Sequence, residues 1–221
     1  MSKVKEHFNQ IAAKYDYFKA KNWYYYDSIK VNLAKIFPDA SQKSVLDIGC
    51  GTGEILNYLH PKTGLGVDLS EEMILIAKEK YPQYSFFAAS IDNYLTDQKF
   101  DYLILIDIIE HLENLLGSIK NISNLAHEKT KVIIFMANPL WEPLLMLAEK
   151  LCLKMPEGPH YRITNKELIS FFKQNGFTLV STYTRLLLPK KLFFSDFINK
   201  CFFVVPILKK LGLINIIIIE K

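Results

Sequence analysis

The segment Asp47-Ile48-Gly49-Cys50-Gly51-Thr52-Gly53 constrains this chain more than any other. It follows a short apolar run, residues 44–48, that reads as a strand, and it opens a run with helical spacing, residues 53–59. A glycine-rich turn between strand and helix lets the backbone approach a ligand closely while helix N–H groups point at it. The next strand candidate, residues 64–68, ends in Asp68. That is close to the roughly 20-residue offset at which a carboxylate reaches ribose hydroxyls. Strand, loop, helix and acid together imply a nucleoside-containing ligand. Dinucleotide sites space their glycines G-x-G-x-x-G, whereas this loop reads G-x-G-x-G behind a carboxylate, Asp47. The spacing disfavours a nicotinamide dinucleotide, and with it an oxidoreductase, which stands as the alternative.

The rest of the chain continues the alternation. Residues 3–37 carry Phe8, Ile11, Tyr15, Phe18, Ile29, Leu33 and Ile36 at helical spacing, and Pro38 ends that region. Residues 70–80 read as a helix with Ser70 as N-cap and Glu71-Glu72 in a first turn that favours negative charge. Residues 84–89, 100–107 and 131–137 are strand candidates, and residues 117–126 are a helix. Leu103-Ile104-Leu105-Ile106 and Val132-Ile133-Ile134-Phe135 are unbroken apolar runs, as expected of strands buried on both faces of a parallel sheet. Thr164-Asn165-Lys166-Glu167 is a capping box opening a helix that stops at Gly176. Residues 177–183 and 213–219 are the last strand candidates. The expected architecture is α/β, with a doubly wound, mostly parallel sheet.

Half of the 221 residues are hydrophobic and 23% are charged, enough for the core of one domain. A net charge of +4, without interleaved basic and aromatic stripes, argues against a nucleic-acid partner. Cys50, Cys152 and Cys201 lie far apart without metal-ligand spacing, and the first ten residues are polar, so a cytoplasmic setting is expected. No apolar run approaches the ~20 residues that span a bilayer.

Val45-Leu46-Asp47-Ile48-Gly49-Cys50-Gly51-Thr52-Gly53 resembles motif I of the class I S-adenosylmethionine-dependent methyltransferases. Gly66-Val67-Asp68-Leu69-Ser70-Glu71-Glu72-Met73 resembles their second motif and Phe100-Asp101-Tyr102-Leu103-Ile104-Leu105 their fourth. The resemblance runs over roughly residues 1–185. It implies a Rossmann-like seven-stranded sheet and S-adenosylmethionine as cofactor. The glycine loop (Asp47, Gly49, Gly51, Gly53) would hold the methionine end, and Asp68, with Leu69 beside it, the ribose. Where the family often carries an adenine-binding Asp, this chain has Ser90, followed by Ile91 and Asp92. Ser90 as acceptor, Ile91 covering the ring, and a shifted turn bringing in Asp92 all stand as readings. Phe8–Asp16 resembles the entry helix that folds over the cofactor, which brings Tyr15 toward the methionine end.

Ligands of open α/β sheets sit beyond the carboxyl ends of the strands, and here the fourth strand runs into Asp107-Ile108-Ile109-Glu110-His111-Leu112. The segment resembles the acidic-x-x-Glu-His element of ubiquinone-biosynthesis O-methyltransferases, with Asp107 in place of the usual Glu. Three readings stand for it: shaping the cofactor pocket, a general base at His111, and a metal site. Asp107 lies against the methionine moiety in each. His160, in the turn-rich loop 156–162, is a further candidate base, and Arg162 a partner for an acidic group on the substrate. His7, His60 and His127 read as solvent-facing, and Tyr24-Tyr25-Tyr26 as core or as a substrate mouth. The reaction expected is methyl transfer to a small-molecule or lipid-linked acceptor, at oxygen; a non-catalytic adenosylmethionine-binding protein is a further alternative.

The organisation expected is a single domain: a helical cap (1–40), a cofactor-binding core (41–185), an apolar insert (186–212) and a last strand (213–221). Within the insert Phe193, Phe197, Ile198, Cys201, Phe202 and Val205 share one helical face, and Ser195, Asp196, Asn199 and Lys200 the other. Such a face suits a cap on the core, a homodimer contact, or peripheral membrane contact through 190–212 beside its lysines.

Overall fold

The structure is a computed structural model that describes residues 2–151, 153–156, 158–202 and 208–221. Cys152 and Val205, named above, and Glu157 of the loop 156–162 lie outside the described residues.

The seven expected strands form one sheet: β1 (Ser44–Ile48), β2 (Thr63–Asp68), β3 (Ser85–Ala88), β4 (Phe100–Ile106), β5 (Ala126–Ala137), β6 (Thr178–Arg185) and β7 (Ile214–Glu220). Their order is β3-β2-β1-β4-β5-β7-β6. Neighbours from β3 to β5 pair in parallel, and β7 inserts antiparallel between β5 and β6. The strand order reverses between β1 and β4, so a crevice opens where the chain leaves both strands.

Successive strand residues point to opposite faces, and two cores result. Leu46, Ile48, Leu103, Leu105 and Ile134 pack on one side with α5 (Leu115–Leu125) and α7 (Asn165–Gln174). Val45, Ile104, Ile133, Phe135 and Ile216 pack on the other with α2 (Trp23–Ile36), α3 (Glu54–Leu59) and α4 (Glu71–Lys80). The caps read from sequence are made: the Ser70 hydroxyl accepts from Met73 N–H, and Thr164 and Glu167 close their box.

The N-terminal helical region is two helices, α1 (Lys3–Lys21) and α2, broken at Asn22. A helix not expected from the sequence, α6 (Glu142–Lys150), follows β5. The insert contains α8 (Ser195–Phe202), and its orientation corrects the expectation of a cap on the core. Ser195 and Asn199 of its polar side turn inward, while Asp196 and Lys200 stay exposed. Ser195 is fully buried, and the Asn199 amide accepts from the N–H groups of Leu187 and Leu188 and donates to Tyr24 Oη. Phe193 and Phe197 are 93% and 67% exposed. Among the described residues no helix is long and apolar enough to cross a membrane.

Candidate active site

The glycine loop is pinned to the end of β2 by Gly49 and Cys50 N–H groups, both donating to Val67 O. Gly49 has φ +74°, and a Cβ there would stand 2.7 Å from Ile108 Cδ1. Gly51 has φ +51° and lies under the Tyr15 ring, 3.2 Å from where a Cβ would sit. Both positions need glycine because the left-handed backbone and the neighbouring side chains leave no room for more. Gly53 caps α3.

Asp68, at the carboxyl end of β2, orients this loop. Its Oδ2 accepts from Gly51 N–H at 2.8 Å and its Oδ1 from Ser70 N–H at 2.9 Å. Burial raises its pKa above the usual carboxylate value, against the pull of backbone N–H groups of Ser70, Gly51 and Leu69. Each oxygen keeps a second lone pair, the bidentate arrangement that two adjacent ribose hydroxyls require. Asp47 is 2% exposed, and its Oδ2 is a buried atom with no hydrogen-bond partner in the fold. Burial pushes its pKa up to about 7, with the Lys19 ammonium pulling down and Asp68 pushing up. A buried carboxylate oxygen left unpaired is costly, and a cation from a ligand is what satisfies it. S-adenosylmethionine carries such a cation in its amino-acid ammonium, so the donor set fits that cofactor.

Two cavities meet here. The first, about 380 Å³, is lined by Gly49, Gly51, Asp68, Leu69 and the turn Ser90-Ile91-Asp92. Ser90 Oγ donates to Asp92, whose other oxygen accepts from Asn114 Nδ2, and the three candidates for the base contact, Ser90, Ile91 and Asp92, stand on one wall. Ile91 is buried, and its carbonyl accepts from Asn121 Nδ2 at 2.6 Å. That amide also holds Tyr94 O and so fixes the turn. The second cavity, about 450 Å³, is largely apolar and lined in part by Tyr25, Asp47, Glu110, Trp141, Leu144 and Leu192. Both volumes fall in the roughly 300–1,000 Å³ range of small-molecule sites. Phe8, Tyr15, Gly49, Ile106, Asp107 and His111 line both cavities.

Asp107, just beyond β4, adopts φ +50°, a left-handed backbone that a non-glycine residue takes at some cost. Tyr25 Oη donates to both its carboxylate oxygens, at 2.9 and 3.1 Å. Burial first, then the Asp107 charge, holds the Tyr25 phenol protonated far above neutral pH. Tyr15, between the two cavities, is likewise raised, mainly by burial. Tyr25 therefore belongs to the cavity, whereas Tyr24 bonds Asp196 of the insert.

His111 is buried, and its Nδ1 lies 2.9 Å from Pro159 O. A carbonyl only accepts, so Nδ1 carries the proton and Nε2 is the basic nitrogen of the neutral ring. Phe8 packs edge-on against this ring at 5.3 Å. The backbone carbonyl of Glu110 accepts from Tyr161 N–H, and its side chain faces the second cavity.

Several expectations are corrected. His160 does not join either cavity: it is exposed, with Nε2 3.6 Å from Glu142, the carboxylate that also takes Arg162. The loop contributes backbone instead, through Pro159 O and Tyr161 N–H. His7 is not idle at the surface but donates from Nε2 to Pro156 O at 3.0 Å, tying α1 to the same loop. His127 lies 3.6 Å from Asp101. Asp107, Glu110 and His111 are not gathered as metal ligands. Among the described residues no group of three or more His, Cys, Asp or Glu side chains is disposed to hold a metal ion.

Comparison with known proteins gives this geometry its family. A family model described as "Methyltransferase domain" matches residues 22–182. Protein 235L of Invertebrate iridescent virus 6, a provisionally named methyltransferase, is 37% identical over 102 residues, 44% of this chain and 38% of that one. The ubiquinone biosynthesis O-methyltransferase of Glaesserella parasuis is 25% identical over 153 residues, 61% of this chain and 65% of its own. The chain thus spans less than two thirds of the length of these two relatives. In fold it is similar to magnesium protoporphyrin IX methyltransferase from Synechocystis PCC 6803, solved with bound SAH, at TM-score 0.71 and 16% identity over 99% of this chain and 98% of that one. A SAM-dependent methyltransferase from Thermotoga maritima gives TM-score 0.73 at 18% identity, over 99% of each. Family membership removes the dinucleotide alternative. The chain belongs to the class I S-adenosylmethionine-dependent methyltransferases.

Proposed function

We propose that this enzyme methylates an oxygen of an apolar acceptor, either a small molecule or a lipid-linked one, held in the second cavity. The observation that carries this reading is that two cavities, one fitted to the cofactor and one apolar, share a wall at Asp107 and His111. When bound, S-adenosylmethionine supplies an electrophilic methyl group. Asp68 would hold the ribose hydroxyls, with Leu69, Ser90, Ile91 and Asp92 around the base. Asp47, Gly49, Gly51, Gly53 and Tyr15 would enclose the methionine end, and Asp47 would meet its ammonium. His111 Nε2 would take the proton of the acceptor hydroxyl, on the wall where the cofactor would present its methyl group. Asp107, held by Tyr25, and Glu110 keep the acceptor mouth polar on one side, and Leu144, Leu188 and Leu192 keep it apolar on the other. The O-methyltransferases of ubiquinone biosynthesis among the relatives support the choice of oxygen.

The test is transfer from tritiated-methyl S-adenosylmethionine to phenols with and without polyprenyl tails. Wild type should label the tailed phenols better. His111→Ala should lose roughly 100- to 1,000-fold in kcat, as general-base removal does, with a much smaller change in affinity for S-adenosylhomocysteine. Full turnover in His111→Ala removes the base; labelling only of amines removes the oxygen acceptor.

A further inference from the structure

We propose that the outward face of α8 docks this enzyme on an anionic lipid bilayer, with the mouth of the second cavity at the lipid surface. The fold takes up only part of the polar side of this helix: Ser195 bonds Leu192 and Asn199 closes three backbone groups of Leu187 and Leu188. Asp196, which accepts from Tyr24, and Lys200 stay exposed. On the outward face Phe197 and Ile198, with Phe193 and Phe194 just ahead of the helix, are left in solvent as a ridge. An amphipathic surface with aromatic side chains outward and lysines around them is the form that lies in a membrane interface.

Charge decides between occupants. Lys200 is exposed on this helix, Lys209 and Lys210 are exposed later in the insert, and Lys191 pairs with Asp196, the one acid in the sequence of the insert. A second copy packed on this face by two-fold symmetry would bring like charges together, which opposes pairing. An anionic bilayer complements the same lysines.

The position of the mouth gives the docking a purpose. Leu144, Leu153 and Leu192 each line the second cavity and are each more than half exposed, so they form an apolar rim. Leu192 is continuous with Phe193 and Phe194 of the ridge. Docking through the ridge therefore sets the rim against lipid, and an apolar acceptor passes from bilayer to cavity without crossing water.

Vesicle co-sedimentation tests this with the full chain alone, without cofactor or acceptor, so its outcome is independent of the proposed reaction. Wild type should sediment with phosphatidylcholine vesicles that contain phosphatidylglycerol at low salt, and poorly with phosphatidylcholine alone. Phe193→Ser with Phe197→Ser should weaken binding about 30-fold, and Lys200→Glu with Lys209→Glu and Lys210→Glu about 100-fold. All of these positions are exposed, and calorimetric affinity for S-adenosylhomocysteine should be unchanged in each variant. Wild type that stays in the supernatant overturns the proposal, as does equal sedimentation of the phenylalanine variant. A wild-type dimer in sedimentation equilibrium that Phe197→Ser dissociates, with no vesicle binding, assigns the face to a second copy and overturns it too.

Discussion

Replacing Asp68 by alanine is expected to weaken binding of S-adenosylhomocysteine several hundredfold while leaving the fold intact. The carboxylate is the group on the β2 end that offers a lone pair on each oxygen after satisfying Gly51 and Ser70 N–H. Hydrogen bonds to a charged group contribute about 1.5–3 kcal/mol each, so losing two to the ribose costs about 3–4 kcal/mol after partial compensation by water. Gly51 N–H also loses the acceptor that orients the loop. The cost to stability is smaller, because burial already disfavours this carboxylate in the empty fold, and water in the open cavity meets the released N–H groups. Calorimetry and thermal melting separate the two effects. A variant that binds as well as wild type removes Asp68 from the ribose contact.

Asp47→Asn should separate stability from binding in the opposite sense. The folded-state pKa of Asp47 is raised from the ordinary 3.8 to about 7, first by burial. Between those two values the folded chain keeps a proton that the unfolded chain has released. Stability therefore falls as pH rises through that window and levels off above it. The integrated effect is on the order of 4 kcal/mol. The asparagine amide does not titrate, so the variant should lack this share of the decline and melt higher than wild type at pH 8 without ligand. Asp68, also raised, adds a decline in the same direction to both proteins. Binding runs the other way, because the ammonium group of the ligand needs the ionised carboxylate. Wild-type affinity for S-adenosylhomocysteine should rise about tenfold from pH 6 to pH 8, and the variant should bind more weakly with a flatter profile. Equal slopes in the two proteins would remove Asp47 as the titrating group.

The sheet was legible because its strands are buried on both faces and are written as unbroken apolar runs; β1 matches its expected bounds at both ends. The site's cofactor half was legible for a related reason. Gly49, Gly51 and Asp68 sit at offsets fixed by one strand–loop–helix–strand unit, so local spacing carries the geometry. Contacts between distant segments leave no such trace. Tyr25 meets Asp107 across two elements, and Asn121 reaches back from α5 to hold the Ser90–Asp92 turn. Neither pairing has a periodic signature. Helix α6 is not written as a strong periodic pattern in the sequence; Pro143 stands in its first turn, where proline is tolerated. Its inner residues line a cavity rather than a core. In α8 the amphipathic pattern correctly grouped Phe193 with Phe197 and Ser195 with Asn199. A pattern says which residues share a face, but what that face meets depends on partners such as Tyr24 that only the fold supplies.

Isothermal titration of the wild-type chain with S-adenosylhomocysteine and with NAD tests the central claim most directly. A glycine loop spaced G-x-G-x-G, a ribose acid at position 68 and a buried carboxylate at position 47 with one oxygen lacking a hydrogen bond predict saturable single-site binding of S-adenosylhomocysteine and no heat with NAD. Saturable binding of NAD with no signal from S-adenosylhomocysteine would contradict it.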